Sequence, residues 1–348
     1  MKCMCHIVPA SVLERLSRDE RLEPEYRRHL AVNAVLIRNG FDLRTQQAER
    51  TRLVTSLLGP TAPTLAGSGL AAVSITVSDC GNGTTLPGTP VAEPAHAADA
   101  TVTNAAVEAQ AVYDFYNTVF ARNSIDNAGI TIASSVHYST GYNNAFWNGT
   151  QMVYGDGDDR LFIDFTKGDD VIGHELTHGV TQHSLQLSYV NEAGGLNESL
   201  SDVFGSMFRQ YQAGQDVAAA DWLIGKDILG PDALARGYTC LRDMSNPAGT
   251  HCLAAQPAQY SLYHDGMDPH ESSGIPNLAF YTAAMAIGGK SWEKTGKIWY
   301  AAQTQSGSQP GMTMGQFANA TRNLAATLFS GDASIARAVD TAWVAVGL

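Results

Sequence analysis

The chain has 348 residues, 16% of them charged, and a formal net charge of −12. That length suits two domains with a substantial core. The acidic balance argues against a nucleic-acid partner, and no apolar run reaches the ~18 residues of a membrane span. Residues 1–52 depart from the balance: ten Lys/Arg against seven Asp/Glu give +3, which leaves −15 for the remainder. The apolar stretch of MKCMCHIVPASVLERLSRDERL is short and broken by His6 and Pro9, unlike a secretory signal. Val12, Leu13, Leu16 and Leu22, then Leu30, Val32, Val35 and Leu36, predict two short amphipathic helices broken near Pro24. A small basic piece ahead of an acidic body reads as an intramolecular partner. Residues 53–77 begin as a Pro/Gly/Ser/Thr-rich linker, the natural place for a cut. A β pattern starts at Leu70, with Val73, Ile75 and Val77 on one face. A helix is predicted over Val102–Ala121, and strands in ITIASSVHYS, NAFWNGTQMVYGDGD and RLFIDF.

Val171–His183 contains His174-Glu175-Leu176-Thr177-His178. On a helix, two imidazoles four residues apart share a face and can close on one metal ion, while Glu175 can reach a water on it. Asn191–Gly205 predicts a second helix running back, with Glu198 and Asp202 on one face inside the apolar stripe Leu196, Leu200, Val203, Phe204. Buried carboxylates need a cation or a hydrogen-bond partner, and a two-His site needs a third ligand. Helices are expected in DVFGSMFRQYQ and WLIGKDIL. After the irregular stretch 230–274 they continue over Asn277–Ile287, Ser291–Thr304 and Met314–Phe329, with a last one from Ala333. Of five cysteines (Cys3, Cys5, Cys80, Cys240, Cys252), Cys240 and Cys252 could close a loop disulfide or stand as two thiols. Cys3, Cys5 or His6 could cap the open position of a metal from the N-terminal side; the bland reading is a loose terminus.

HELTH, NESLSD and GYNNAFWNGTQMVYGDGD together resemble the thermolysin family of zinc metalloendopeptidases, from about Ser78 to the C-terminus. HIVPASVLERL resembles the short propeptide of the protealysin-like branch, with Pro9-Ala10 where that branch has Pro-Pro. The resemblance implies an α+β, thermolysin-like two-domain fold: a β-rich N-terminal domain and a helical C-terminal domain, with the zinc helix at the seam and a cleft between. The expected division is 1–55 propeptide and linker, 56–181 N-terminal domain and 182–348 C-terminal domain. One catalytic Zn2+ is expected on His174, His178 and Glu198. Glu175 is the expected general base on a zinc-bound water and then proton donor to the leaving amine. Asp202 is expected to bond the far nitrogen of His174, and Asn197 to orient His178.

His270 in DPHESSGIPN matches the family's donor to the oxyanion, Tyr189 its partner and Asp265 the carboxylate that holds it; Asp268-Pro269 stands where Gly-Val is usual, which could shift the loop. Asn144 and Ala145 are expected to take an extended peptide as an added strand, and Arg242 to hold a substrate carbonyl. Phe162, Phe165, Val171, Ile224, Ile228 and Leu241 are expected to line an apolar pocket for the residue after the cut. Large family members hold two calcium ions. Here Asp170 and Asp221 persist, but Arg209, Leu223 and Lys226 fill other ligand positions. A cation or an apolar group cannot serve as a hard oxygen ligand, so the calcium pair is expected to be absent and Arg209 and Lys226 to replace its charge. Asp156–Asp159 reads as a hairpin turn.

The implied activity is a neutral endopeptidase made as a latent precursor, with peptide substrates and its own propeptide as partners. A zinc exopeptidase, a zinc-stabilised binding protein that no longer cuts, and a propeptide that also acts in trans are the competing readings. The family is mostly extracellular, so secretion is expected from the resemblance and cytoplasmic retention from the N-terminus.

Overall fold

The computed structural model describes residues 5–39 and 73–348. Cys3, much of the expected linker and the point of cleavage fall outside them. The chain enters as a two-residue strand, β1 (Cys5–His6), and α1 (Ala10–Ser17) follows. A second helix, α2, covers 24–39 with Pro24 at its first position, where the missing N–H costs nothing. Leu22, Tyr26, Leu30, Ala34 and Ile37 are buried, whereas Val32, Val35 and Leu36 are 58%, 55% and 46% exposed, so those three do not belong to the packed face expected of them.

Next come β2 (Ile75–Asp79), β3 (Thr89–Pro90), α3 (Ala100–Phe120), β4 (Ile132–Val136), β5 (Ala145–Trp147) and β6 (Met152–Tyr154). They form one six-stranded sheet ordered β1-β5-β6-β4-β2-β3. Strands β2, β4 and β6 run parallel, and β5 and then β1 are added antiparallel at one edge. Helix α3 is started by Asp99, whose carboxylate accepts from Thr101 and Val102 N–H. The stretch RLFIDF forms no strand: Phe162 makes a single bridge to Leu229.

The C-terminal part is helical: α4 (Asp169–Gln182), α5 (Asn191–Gln212), α6 (Pro231–Ala235), α7 (Pro269–Ser272), α8 (Gly274–Ile287), α9 (Thr295–Gln305), α10 (Met314–Leu328) and α11 (Ala333–Ala345). WLIGKDIL is not a helix. Its Leu223–Ile224 form β7, paired with β8 (Arg242–Asp243). Stacked Trp299 and Trp343 (5.9 Å) and Phe317 centre the packing of the last helices. Helix α4 packs against α5, α3, β5 and β1. A Cβ on Gly173 would stand 3.0 Å from Gly205 Cα, and one on Gly205 2.5 Å from the Asp170 carbonyl oxygen. These two glycines let the backbones of α4 and α5 come together. No helix among the described residues is long and apolar enough to cross a membrane.

Candidate metal centre and substrate edge

His174, Glu175 and His178 on α4 and Glu198 on α5 are all at most 2% exposed. The two imidazole Nε2 atoms lie 3.1 Å apart. Glu198 places Oε2 3.4 Å from His174 Nε2 and Oε1 3.4 Å from His178 Nε2. The outer nitrogens are already spoken for. His174 Nδ1 donates to Asp202 Oδ1 (2.8 Å), and His178 Nδ1 donates to Asn197 Oδ1 (2.9 Å) with Ser201 Oγ at 3.0 Å. Both rings are thus fixed with Nε2 facing one point.

Ligands about 2.0–2.1 Å from a tetrahedral ion stand roughly 3.3 Å from one another, so this donor set fits zinc. The electrostatics agree. Burial opposes charge on His174, yet Asp202 and Glu198 outweigh it and raise its pKa to about 9. Glu198 is held well below the usual carboxylate range against its burial by His270 and His178. His178 is pushed down to about 3 by burial, only partly offset by Glu198. Glu198 thus stays ionised in a fully buried site, where a bound cation would offset its charge. Glu198 Oε2 has no hydrogen-bond partner among the described residues. Glu175 accepts from Trp147 N–H through Oε2 (2.8 Å), has no partner for Oε1 among the described residues, and has its pKa driven well up by burial.

His270 stands on α7 beside this group, 3.6 Å from Glu198 through Nε2. Its carboxylate partner is Asp268, not Asp265. Asp268 Oδ1 accepts both the His270 backbone N–H (2.9 Å) and Nδ1–H (2.8 Å), while Asp265 is exposed and takes the Tyr263 hydroxyl (2.9 Å). Asp268-Pro269 shapes this turn itself. It supplies the cap and first residue of the turn that carries His270. Burial lowers the His270 pKa, but Glu198 and Asp268 raise it to about 9. Tyr189 lies 3.2 Å from His270 Nε2 and donates a short hydrogen bond to Glu198 Oε1.

Arg242 is buried and forks onto both Asp202 oxygens (2.9 and 2.8 Å), and Asn277 Nδ2 adds a third contact (2.8 Å); burial would raise the Asp202 pKa, but Arg242 and His174 bring it down to about 2. Its remaining arm, Nη1, donates to the Ile7 carbonyl at 2.8 Å. This is the group expected to hold a substrate carbonyl, and here it holds the chain's own N-terminal segment. The neighbouring contacts follow suit. Cys5 and His6 pair with Trp147 and Phe146 on β5. Ile7 N–H donates to the Ala145 carbonyl (3.2 Å). Val8 N–H donates to Asn144 Oδ1 (3.0 Å), and Asn144 Nδ2 donates back to the Val8 carbonyl (2.8 Å). His270 Nε2 donates to the His6 carbonyl at 2.5 Å. Phe162, Phe165, Val171, Ile224, Ile228 and Leu241 are fully buried in the same apolar cluster as Ile7 and Val8.

Cys5 Sγ comes within 4.8 Å of the ligand atoms of His178 and Glu198, where a cap was expected, but Cys5 is disulfide-bonded. The His6 ring lies against Phe146, with centroids 5.0 Å apart. Cys240 and Cys252 are free thiols with Sγ atoms 3.7 Å apart, not the alternative disulfide. At the expected calcium positions, Arg209 reaches Asp170 (3.5 Å), Asp221 (3.5 Å) and Asp227 (3.1 Å), and Lys226 pairs with Asp221. Asp158 Oδ1 accepts from Arg160 and Leu161 N–H (2.9 and 2.8 Å), but among the described residues no strand follows directly on β6, so Asp156–Asp159 is an irregular loop and not the hairpin turn expected. Asp268, Asn277 and the carbonyls of His6 and Ile7 were missed from the sequence; Asp-Pro-His, an acid before a helix-starting proline, was the available signal for the first.

This fold and this site are those of a zinc metallopeptidase. Residues 69–182 match the model of the thermolysin metallopeptidase catalytic domain and residues 185–348 that of its alpha-helical domain. The chain belongs to the thermolysin metallopeptidase family and is a zinc metalloendopeptidase. It is 44% identical over 245 residues to an extracellular metalloprotease of Pectobacterium carotovorum subsp. carotovorum, covering 68% of this chain and 69% of that one. It is 38% identical over 282 residues to protease PrtS of Photorhabdus sp. (strain Az29), covering 78% and 76%. Among solved structures, the precursor of protealysin from Serratia proteamaculans superposes with a TM-score of 0.80 at 36% identity, covering 99% of each chain.

Proposed function

We propose that this protein hydrolyses internal peptide bonds ahead of bulky apolar residues near neutral pH, and that its N-terminal segment holds it latent until removed. The observation that carries this reading is residues 5–8 lying as an added strand on β5. Its carbonyls meet His270 and Arg242, and its amides meet Ala145 and Asn144. A main-chain ladder of this kind accepts any extended peptide. The segment continues on both sides of the His6–Ile7 bond, as an endopeptidase groove requires and a free-end pocket does not. Ile7 then takes the place of the residue after the cut, which agrees with a pocket preferring Leu, Ile or Phe by about 1–3 kcal/mol over a small side chain.

His174, His178 and Glu198 would hold the ion, which supplies Lewis acidity and a water acidic near pH 7. Glu175 takes the proton of the attacking water and passes it to the leaving amine; its burial-raised pKa suits that shuttle. Protonated His270, oriented by Asp268 and flanked by Tyr189, donates to the oxygen on which negative charge develops. Arg242 fixes the next carbonyl, and Asp202 and Asn197 keep the two imidazoles in the metal-binding tautomer. Arg209 and Lys226 replace the calcium pair of larger relatives. The division into 1–55, 56–181 and 182–348 follows from the same reading, and secretion follows the extracellular relative.

The test is turnover of an internally quenched peptide by the full chain and by a chain beginning near residue 60, each with and without a chelator. Chelator-sensitive cutting confined to the short form is expected. Equal cutting by both forms would overturn latency, and metal-loaded protein that never cuts would overturn the enzyme.

A further inference from the structure

Outside the catalytic group, three soft ligands meet on the loop that carries Arg242. Cys240 and Cys252 face each other across a β-bridge, sealed by Leu253 N–H donating to the Cys240 carbonyl (3.0 Å) and Thr239 N–H to the His251 carbonyl (3.0 Å). Both cysteines are buried, at 0% and 3% exposure. Their Sγ atoms are 3.7 Å apart, and His251 Nε2 lies 3.7 Å from Cys252 Sγ. All three ligand atoms fall within 4.8 Å of one another.

We propose that Cys240, Cys252 and His251 form a second metal site, separate from the catalytic one, that takes a borderline-soft divalent ion of the Zn2+ class. Thiolates about 2.3 Å from a tetrahedral ion stand roughly 3.7 Å apart, which is the separation seen here. It is well beyond the ~2.05 Å of a disulfide. Two sulfurs and an imidazole select zinc-like ions over calcium or magnesium.

The backbone makes room for the third ligand. A Cβ on Gly249 would stand 2.3 Å from His251 Cε1, so the ring folds over this turn because residue 249 is glycine. His251 Nε2 now donates to Asp243 Oδ2 (2.9 Å). On metal binding, that proton and the two thiol protons pass to solvent, and Asp243 Oδ2 stands beside the fourth position. The other Asp243 oxygen is anchored by Ser245 N–H and Oγ–H (2.8 and 2.6 Å), so the carboxylate is already placed. The ion would brace the segment holding Arg242, two residues from Cys240, and through it the Asp202 clamp on His174.

The test is metal analysis of the full chain, purified anaerobically without chelators. Two equivalents of zinc per chain are expected in the wild type and one in Cys240→Ser/Cys252→Ser, with a melting curve confirming that the variant folds. His251→Asn, a change at a partly exposed residue, should likewise lose the second equivalent. In a Cys5→Ser background, cobalt loading should give a sulfur-to-cobalt charge-transfer band that disappears with Cys240→Ser/Cys252→Ser. One equivalent in the wild type, a band that survives loss of both cysteines, or a peptide map joining 240 to 252 in the freshly isolated protein would overturn the site.

Discussion

Ile7→Ala probes the docked strand directly. Ile7 is 0% exposed and belongs to the main hydrophobic core, which also includes the residues expected to line the specificity pocket, while its backbone contacts to Ala145 and Arg242 do not need its side chain. Cutting a buried isoleucine back to alanine costs about 2–5 kcal/mol. If that loss falls on docking, the undocked fraction of the full chain rises by roughly 30-fold to 4,000-fold, at tenfold per 1.4 kcal/mol, up to the ceiling set by the cut enzyme. The assay is the initial rate on a quenched peptide, with mass spectrometry confirming that the chain remains uncut during the measurement. A chelator-sensitive rise of at least about 30-fold, the lower end of that range, is expected unless the rate of the cut enzyme is reached first. An unchanged rate, with the melting temperature also unchanged, would show that Ile7 does not hold the segment in the groove and would refute the assignment of its pocket.

Glu175→Gln should lower kcat by about 10²–10⁴ while leaving zinc content intact, since in the proposed mechanism the carboxylate serves the attacking water and is not one of the metal ligands; near-normal turnover would remove Glu175 from its role. His137, between Asp156 (2.9 Å) and Asp99 (3.1 Å), has its pKa raised to about 9 by the Asp156 hydrogen bond against partial burial. The charged form is favoured in the folded state, so this stabilisation is full below the unfolded value near 6.5 and is lost as pH rises through 9. Allowing for solvent screening it amounts to about 1 kcal/mol, and His137→Gln should flatten that part of the stability–pH curve; an unchanged curve would contradict it. Calcium chelation with EGTA should not move the melting temperature of the wild type. Arg209→Ala should lower stability by about 3–5 kcal/mol, because Asp170 is fully buried and would lose its cation. A Tm drop with EGTA in the wild type would restore the calcium sites.

The metal helix pair was legible because its signals are local: imidazoles at helical spacing and carboxylates inside an apolar stripe. Readings failed where distant partners decide. In WLIGKDIL, Trp222, Ile224 and Ile228 repeat much as in a helix, but pairing of Leu223–Ile224 with Arg242–Asp243 makes the segment a strand. Asp265 was placed by resemblance, whereas the chain spells its own solution in Asp268-Pro269-His270, a capped turn whose capping acid also orients the imidazole. The two-residue strand Cys5–His6 has no periodicity of its own; its conformation is imposed by the exposed edge of β5.

The docked strand also sets a concentration rule. In the proposed latent form, while the chain is whole, the docked segment is a tethered ligand, present at its site at an effective concentration on the order of millimolar. A peptide substrate must compete with that figure whatever the enzyme concentration. Once the connection through residues 40–72 is cut, the same contacts form only by encounter between two molecules, and occupancy falls with dilution. Enzyme cut where protein is dense would stay largely filled by its own fragment, and the same enzyme released into a large volume would shed it. Location would then control activity through mass action, with no change in any contact within the groove.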